Sequence, residues 1–166
     1  RRVSEAFEKD LDRKALLVMA TGSGKTRTVV ALCDLLIRCN WVKTVLFLAD
    51  RTELVKQGAE DFKKHLPDSP PVNLREDKTT ESRIYGSTYA TMMGLIDKLE
   101  DGQSRFGVGH FDLIVIDEAH HDGALSMATL HGVIDPSHVI GLTATPFRRD
   151  RVKLCFEKTI RSCSIQ

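Results

Sequence analysis

The chain has 166 residues, 42% hydrophobic and 28% charged, with a formal net charge of +1. That length suits about one domain with a core that needs no staples, and the near-neutral balance singles out no class of partner. No apolar run approaches about 18 residues, which excludes a membrane-spanning helix, and the four cysteines, Cys33, Cys39, Cys155 and Cys163, form no C-x-x-C and meet no histidine at finger spacing. They read as reduced thiols of a cytoplasmic protein, with Cys33 packed in a core.

In chain order, Val3 to about Leu11 places Val3, Ala6, Phe7 and Leu11 on one face of a short charged helix. This opening has neither an initiator Met nor a signal peptide, so the chain reads as a fragment of a longer protein. Ala15–Met19 is a buried strand, and Lys25–Arg38 follows as a helix burying Val29, Val30, Leu32, Cys33, Leu36 and Ile37. The run Val42–Ala49 is apolar nearly throughout, as strands covered on both faces are. Thr52–Leu66 is helical, with Leu54, Val55, Ala59 and Phe62 inward and Thr52 placed to cap its first turn. The prolines at 67, 70 and 71 end it.

Val72–Leu74 reads as a short strand, Arg75–Ser82 as a charged loop, Arg83–Ser87 as a strand and Tyr89–Leu99 as a helix. Asp101–Gly109 reads as a Gly-rich, mobile stretch, and Phe111–Ile116 as a strong buried strand. A short helix over Ala124–His131, a strand over Val139–Leu142, a helix from Asp150 to about Lys158 and a last strand over Thr159–Ile165 complete the order. There is no internal repeat. Strands alternating with helices imply an α/β fold, a parallel sheet with helices on both faces. The loops after the strands would gather at the sheet's carboxyl edge, where such folds bind ligands.

Four segments follow strands there. In the first, Thr21-Gly22-Ser23-Gly24-Lys25-Thr26 joins a strand to a helix. Its glycines let successive backbone N–H groups turn toward an anion, and the helix adds the positive end of its dipole. Lys25 can reach the outer phosphates of a nucleotide, and the Thr26 hydroxyl can ligate Mg²⁺. Met19 stands where the pattern G-x-x-x-x-G-K-T has its first glycine. Asp117 ends an apolar strand, a place for a carboxylate that holds Mg²⁺, and Glu118 beside it can orient or deprotonate an attacking water. His120 is read as a polar coupling residue in preference to a metal ligand, and His121 as surface. The other two segments are Asp50-Arg51 and Thr143–Pro146. Arg148–Lys153 is a locally basic stretch.

Together, Ala20–Thr26, Asp117-Glu118-Ala119-His120 and Thr143-Ala144-Thr145-Pro146 resemble motifs I, II and III of superfamily 2 DEAD/DEAH-type helicases and translocases. Leu48–Gln57 (LADRTELVKQ) looks like motif Ia of the branch that powers type I and type III restriction enzymes. The resemblance implies a RecA-like P-loop NTPase domain. It implies that Thr21, Gly22, Ser23, Gly24, Lys25 and Thr26 hold ATP, that Thr26 and Asp117 hold Mg²⁺, and that Glu118 is the catalytic base with Lys25. It implies that His120, Thr143 and Thr145 couple nucleotide state to nucleic-acid contact. Arg51 stands where related motors often have a threonine touching the nucleic-acid backbone, and Ser87-Thr88 resembles a second such segment. A single first motor domain is therefore expected over residues 1–166, with DNA as partner, a second RecA-like domain of the same protein following, and specificity or modification subunits as further partners. A domain lacking its partner's arginine fingers is expected to bind nucleotide weakly and turn it over slowly. Three other readings stay open: a repair or RNA helicase, a phosphate-loop kinase with an acceptor site, and a non-catalytic nucleic-acid-binding module of the same fold.

Overall fold

The computed structural model describes residues 14–20, 23–77, 80–96, 99–100, 103–104, 106, 109–117, 136–144 and 158–161. The expected helices over 3–11 and 124–131 lie outside them, as does the one from 150 except for its last residue, Lys158, which begins a strand. In chain order the described elements are β1 (Lys14–Val18), α1 (Lys25–Arg38), β2 (Val45–Ala49), α2 (Thr52–His65), β3 (Val72–Asn73), β4 (Ile84–Thr88), α3 (Tyr89–Ile96), β5 (Leu99–Glu100), β6 (Gln103–Ser104), β7 (Leu113–Ile116), β8 (His138–Thr143) and β9 (Lys158–Arg161). Seven strands form one sheet in the order β3-β4-β2-β7-β8-β1-β9, and every pairing in it is parallel. The expected α/β fold, a parallel sheet with helices on both faces, is what the structure has.

Period-2 alternation divides the strands between two cores. Ala15 and Leu17, Val45 and Phe47, Leu113 and Val115, and Ile140 and Leu142 pack with Val29, Val30, Cys33, Leu36, Val55 and Phe62 of α1 and α2. Leu16, Leu46, Leu48, Ile114 and Ile116 face the other way, against Met92 and Leu95 of α3 and the rings of Phe106 and Phe111. The chain moves across the sheet in one direction from β1 through β2 to β3, then back through β4 to β7 and β8. Right-handed crossovers taken in opposite directions place their helices on opposite faces, which is why α3 lies opposite α1 and α2.

Local departures from the expected elements have physical causes. The strand expected from Val42 begins at Val45, because the Lys43 and Thr44 N–H groups donate to Asp112 Oδ2 at 2.7 and 3.2 Å instead of to a ladder. That carboxylate ties the entrance of β2 to the entrance of β7. α1 ends with Asn40 at φ 55°, a left-handed position that Asn tolerates, with the Trp41 N–H returning to Leu36 O at 3.0 Å. The stretch expected to be irregular from Asp101 contains β6, which pairs antiparallel with β5. Its return to the core is anchored by Phe106, edge-on to Tyr85 at 5.6 Å.

Burial in the core under α1 and α2 pushes the Cys33 thiol up to about 12 from its ordinary 9.0, because no neighbour compensates the thiolate for lost water. Its folded value is raised, so the stability gained from keeping it neutral is complete below about pH 9 and is lost as pH rises toward 12. Cys39, by contrast, is exposed. Native alkylation at pH 8 is therefore expected to modify Cys39 rapidly and to leave Cys33 intact until the protein is unfolded. Peptide mass mapping of the two sites reads this directly; equal labelling would contradict the buried position of Cys33.

Candidate functional site

The parallel register fixes what shares the carboxyl edge. Val18 is level with Thr143, Leu48 with Ile116, and Ala49 with Thr88. The residues that leave β1, β2, β4, β7 and β8 therefore emerge along one line. The ladder continues one step past two strands: the Met19 N–H donates to Thr143 O at 3.0 Å, and the Asp117 N–H to Leu48 O at 2.8 Å.

Met19 explains its own departure from the Gly pattern. Its backbone still belongs to the ladder, its side chain is buried in the α1–α2 core, and among the described non-glycine residues only Asn40 has a positive φ. Nothing at position 19 requires glycine. The turn proper comes after Ala20, whose carbonyl accepts from the Ser23 N–H at 3.1 Å and from Ser23 Oγ at 2.5 Å.

Gly24 does require glycine. It is the N-cap of α1 at φ 80°, ψ 33°, and a Cβ built on it would meet nothing within 4 Å. The backbone turns through the left-handed region there, beside open space at the head of a helix. That head has no side-chain cap, and no acidic residue stands in its first turn. The helix dipole is thus not neutralised by carboxylates in the helix's own first turn, and its leading N–H groups have no side-chain acceptor. Lys25 and Thr26 open the helix and are both partly buried. Thr28 fastens the first turn, its N–H and Oγ1 both reaching Gly24 O at 3.0 Å.

Asp117 is 8% exposed and Thr143 fully buried. By alternation from Leu113 and Val115, Asp117 falls on the α1 side of the sheet. Its strand lies two places from β1, about 10 Å across the sheet. A carboxylate and the Lys-Thr pair thus stand on one side of one edge, with open space beside Gly24 at the head of the helix. The donor set fits a nucleotide's phosphates: an uncapped helix head, a glycine that leaves room, a lysine and a hydroxyl. Among the described residues no three His, Cys, Asp or Glu side chains gather to hold a metal ion. Thr26 and Asp117 are the described side chains on this side of the edge that could share a divalent cation with the phosphates it accompanies.

Thr21, Gly22, Glu118, His120 and Thr145 lie outside the described residues. Arg51 is exposed at the head of α2, its Nε 4.0 Å from Asp50 Oδ2. The expectation that Thr52 caps α2 is corrected. Arg51 is the N-cap, with no side-chain cap bond, and the Thr52 hydroxyl instead accepts from the Arg75 guanidinium. Ser87 is fully buried and donates to Thr88 O at 3.0 Å. Thr88 Oγ1 accepts from the Thr91 N–H at 3.3 Å, so it caps α3. The tie between Arg75 and Thr52 had no signal in the sequence beyond the charge of the loop that carries Arg75, because it joins residues far apart in the chain.

A wholly parallel sheet with a Gly-Lys-Thr turn opening the helix after β1 defines a RecA-like α/β domain. The model of the family described as "Type III restriction enzyme, res subunit" matches residues 1–148, and the chain belongs to that family. It is an N-terminal RecA-like domain of the superfamily 2 helicase type, in the restriction-enzyme branch. It is 33% identical over 137 residues to the type I restriction enzyme EcoKI endonuclease subunit of Escherichia coli strain K12, covering 80% of this chain and 12% of that protein. It is 34% identical over 142 residues to the type I restriction enzyme EcoAI endonuclease subunit of Escherichia coli, covering 80% of this chain and 17% of that protein. The chain thus spans less than a fifth of the length of either relative. A nuclease-deletion mutant of the type ISP restriction-modification enzyme LlaGI, in complex with a DNA substrate mimic, has the same fold at TM-score 0.69 and 18% identity, over 98% of this chain and 19% of that one. Among the described residues no helix is long and apolar enough to cross a membrane.

Proposed function

We propose that this domain binds ATP as its Mg²⁺ complex at the carboxyl edge of the sheet and uses its hydrolysis to drive movement along DNA, as the motor of a restriction-type enzyme. The observation that carries the reading is the placement of Gly24, Lys25, Thr26 and Asp117 on one side of that edge. Gly22, Ser23 and Gly24 would turn backbone N–H groups toward the phosphates, with Thr21 leading into the loop. Lys25 would meet the charge that develops on the transferred phosphate. Thr26 and Asp117 would hold Mg²⁺, which neutralises phosphate charge when bound. Glu118, one residue on from Asp117, is the base for the attacking water.

Movement needs a second surface. His120, Thr143 and Thr145 are proposed to couple the nucleotide to nucleic-acid contact. Thr143 suits this, since it ends β8 between the strands that lead to Lys25 and Asp117. Arg51 is exposed at the same edge and suits a phosphate-backbone contact. Ser87 and Thr88 would contribute by setting the start of α3 beside it, because their hydroxyls are already engaged. A second RecA-like domain would close over the nucleotide and step the pair along the backbone. Specificity or modification subunits would choose the sequence.

ATP hydrolysis by the intact protein, with and without DNA, tests the reading. Glu118→Gln is expected to retain Mg²⁺-nucleotide binding and to lower DNA-stimulated turnover by about 100-fold or more, the usual share of a general base. Stimulated turnover that survives this change would remove Glu118 from the site.

A further inference from the structure

The loop after β3 lies outside the motifs, yet it is built with care. Leu74 is fully buried and pins it to the sheet. The Glu76 and Asp77 N–H groups both donate to Asn73 O, at 3.0 and 2.9 Å, and the Arg75 N–H donates to Asn73 Oδ1 at 3.1 Å. Lys56 Nζ of α2 meets Glu76 Oε1 at 3.4 Å. The result is a short hydrogen-bonded turn lying against α2.

What that turn presents is Arg75. It is exposed, and its guanidinium donates to the hydroxyl of Thr52, the residue next to Arg51. Among the described residues no carboxylate pairs with it: Glu76 is taken by Lys56, and Asp50 stands by Arg51. A charged guanidinium steered by one neutral hydroxyl is oriented without being neutralised. Its remaining N–H donors keep the fork geometry that suits phosphate oxygens. Holding an arginine this way also removes part of the side-chain entropy that binding would otherwise cost. α2 begins one residue after Arg51, so both cations share its head, where the helix dipole is positive.

We infer that Arg75 and Arg51 form a two-guanidinium clamp for the phosphodiester backbone of a nucleic acid, with Thr52 as the positioning residue that aims Arg75. The inference rests on the nucleic-acid reading proposed above and extends it to a loop that reading leaves unused. Its ligand chemistry is the backbone phosphate, and base edges play no part.

The test is the salt dependence of binding by the intact protein to a fluorescent duplex of arbitrary sequence. Each lost phosphate contact lowers the slope of log K against log salt concentration by about 0.9. Arg75→Ala is expected to lower the slope by about 1 and the affinity at least several-fold. Arg75→Lys keeps the charge and is expected to keep the slope while losing affinity. Thr52→Val removes the aiming hydroxyl alone, and is expected to weaken binding with the slope unchanged. Lys63→Ala, an equal charge loss in the last turn of α2, serves as the control and is expected to leave both quantities as they are. An Arg75→Ala slope equal to that of the unmodified protein, in a variant with an unchanged thermal melt, overturns the clamp. A loss equal to that of Lys63→Ala overturns it too. If the unmodified protein binds no duplex at low salt, the nucleic-acid reading itself fails, which is a separate outcome.

Discussion

Lys25→Ala in the intact protein is expected to reduce ATP turnover by about 100- to 1000-fold while leaving the melting temperature within a degree or so. The size follows from what the residue would do. Removing one preorganised donor aimed at transition-state charge costs about 2.7–4 kcal/mol in measured enzymes, and a lysine on the transferred phosphate is such a donor. The structure supplies the preorganisation: Gly24 turns through φ 80°, Lys25 is the first helical residue, and Thr28 locks that turn onto Gly24 O. The fold is spared because alanine is the better helix former and Lys25 is only partly buried. Lys25→Arg is expected to rescue little, since a planar fork does not replace a compact ammonium. Turnover within a few-fold of the unmodified protein would exclude Lys25 from the chemistry, and a fluorescent nucleotide titration would separate lost binding from lost rate.

The sequence carried the interior of this fold more clearly than its edges. β2, β7 and the Val139–Leu142 middle of β8 were legible because strands covered on both faces are apolar there, leaving no polar side to confuse the pattern. α1 was legible to the residue, since glycine stands at one end and Arg38, followed by a Cys39-Asn40 turn, at the other. What failed was whatever depends on a distant partner. Val42 and Lys43 read as strand until Asp112 takes the N–H groups at 43 and 44. Thr52 read as a cap until Arg75 takes its hydroxyl. The pairing of β5 with β6 left no hydrophobic alternation to find, since each strand is two residues long.

The candidate site divides in the same way. Its proposed phosphate side is a contiguous stretch whose glycine, lysine and threonine would act through local backbone geometry, so the sequence could display it. That Asp117 shares a face with α1 is a matter of sheet order and strand register, which only the fold decides. The same edge holds Arg51 and Arg75 within a few residues of the strand ends. The proposed nucleotide and nucleic-acid sides are thus joined by β2, β7 and β8, strands buried throughout but for His138 at the start of β8, with little freedom to deform independently.

Gly58→Ala sets two rules against each other, and the structure says which prevails. Gly58 lies inside α2, where exchanging glycine for alanine ordinarily adds about 0.5–1 kcal/mol of stability. Here the new Cβ would stand 2.4 Å from Phe47 Cε1, 2.8 Å from Cζ and 3.1 Å from Cδ1. Phe47 cannot simply yield. It is buried in the middle of β2, and its ring meets Phe62, one turn along the same helix, edge-on at 5.9 Å. Moving the ring disturbs that contact, and lifting α2 opens the core around Val55 and Phe62. Overpacking of this kind costs about 1–3 kcal/mol, more than the helix gains. The expected result is therefore a net loss, read as a fall of about 2–4 °C in melting temperature per kcal/mol for a domain of this size. Phe47→Leu removes the clashing ring atoms at its own cost, so Gly58→Ala should be far less harmful in that background. The two changes together should show a coupling of about 0.5–3 kcal/mol in favour of the pair. A rise in melting temperature for Gly58→Ala alone would mean that α2 stands further from β2 than this packing has it. It would also loosen the support of Arg51 and Thr52, which the same helix carries at its head.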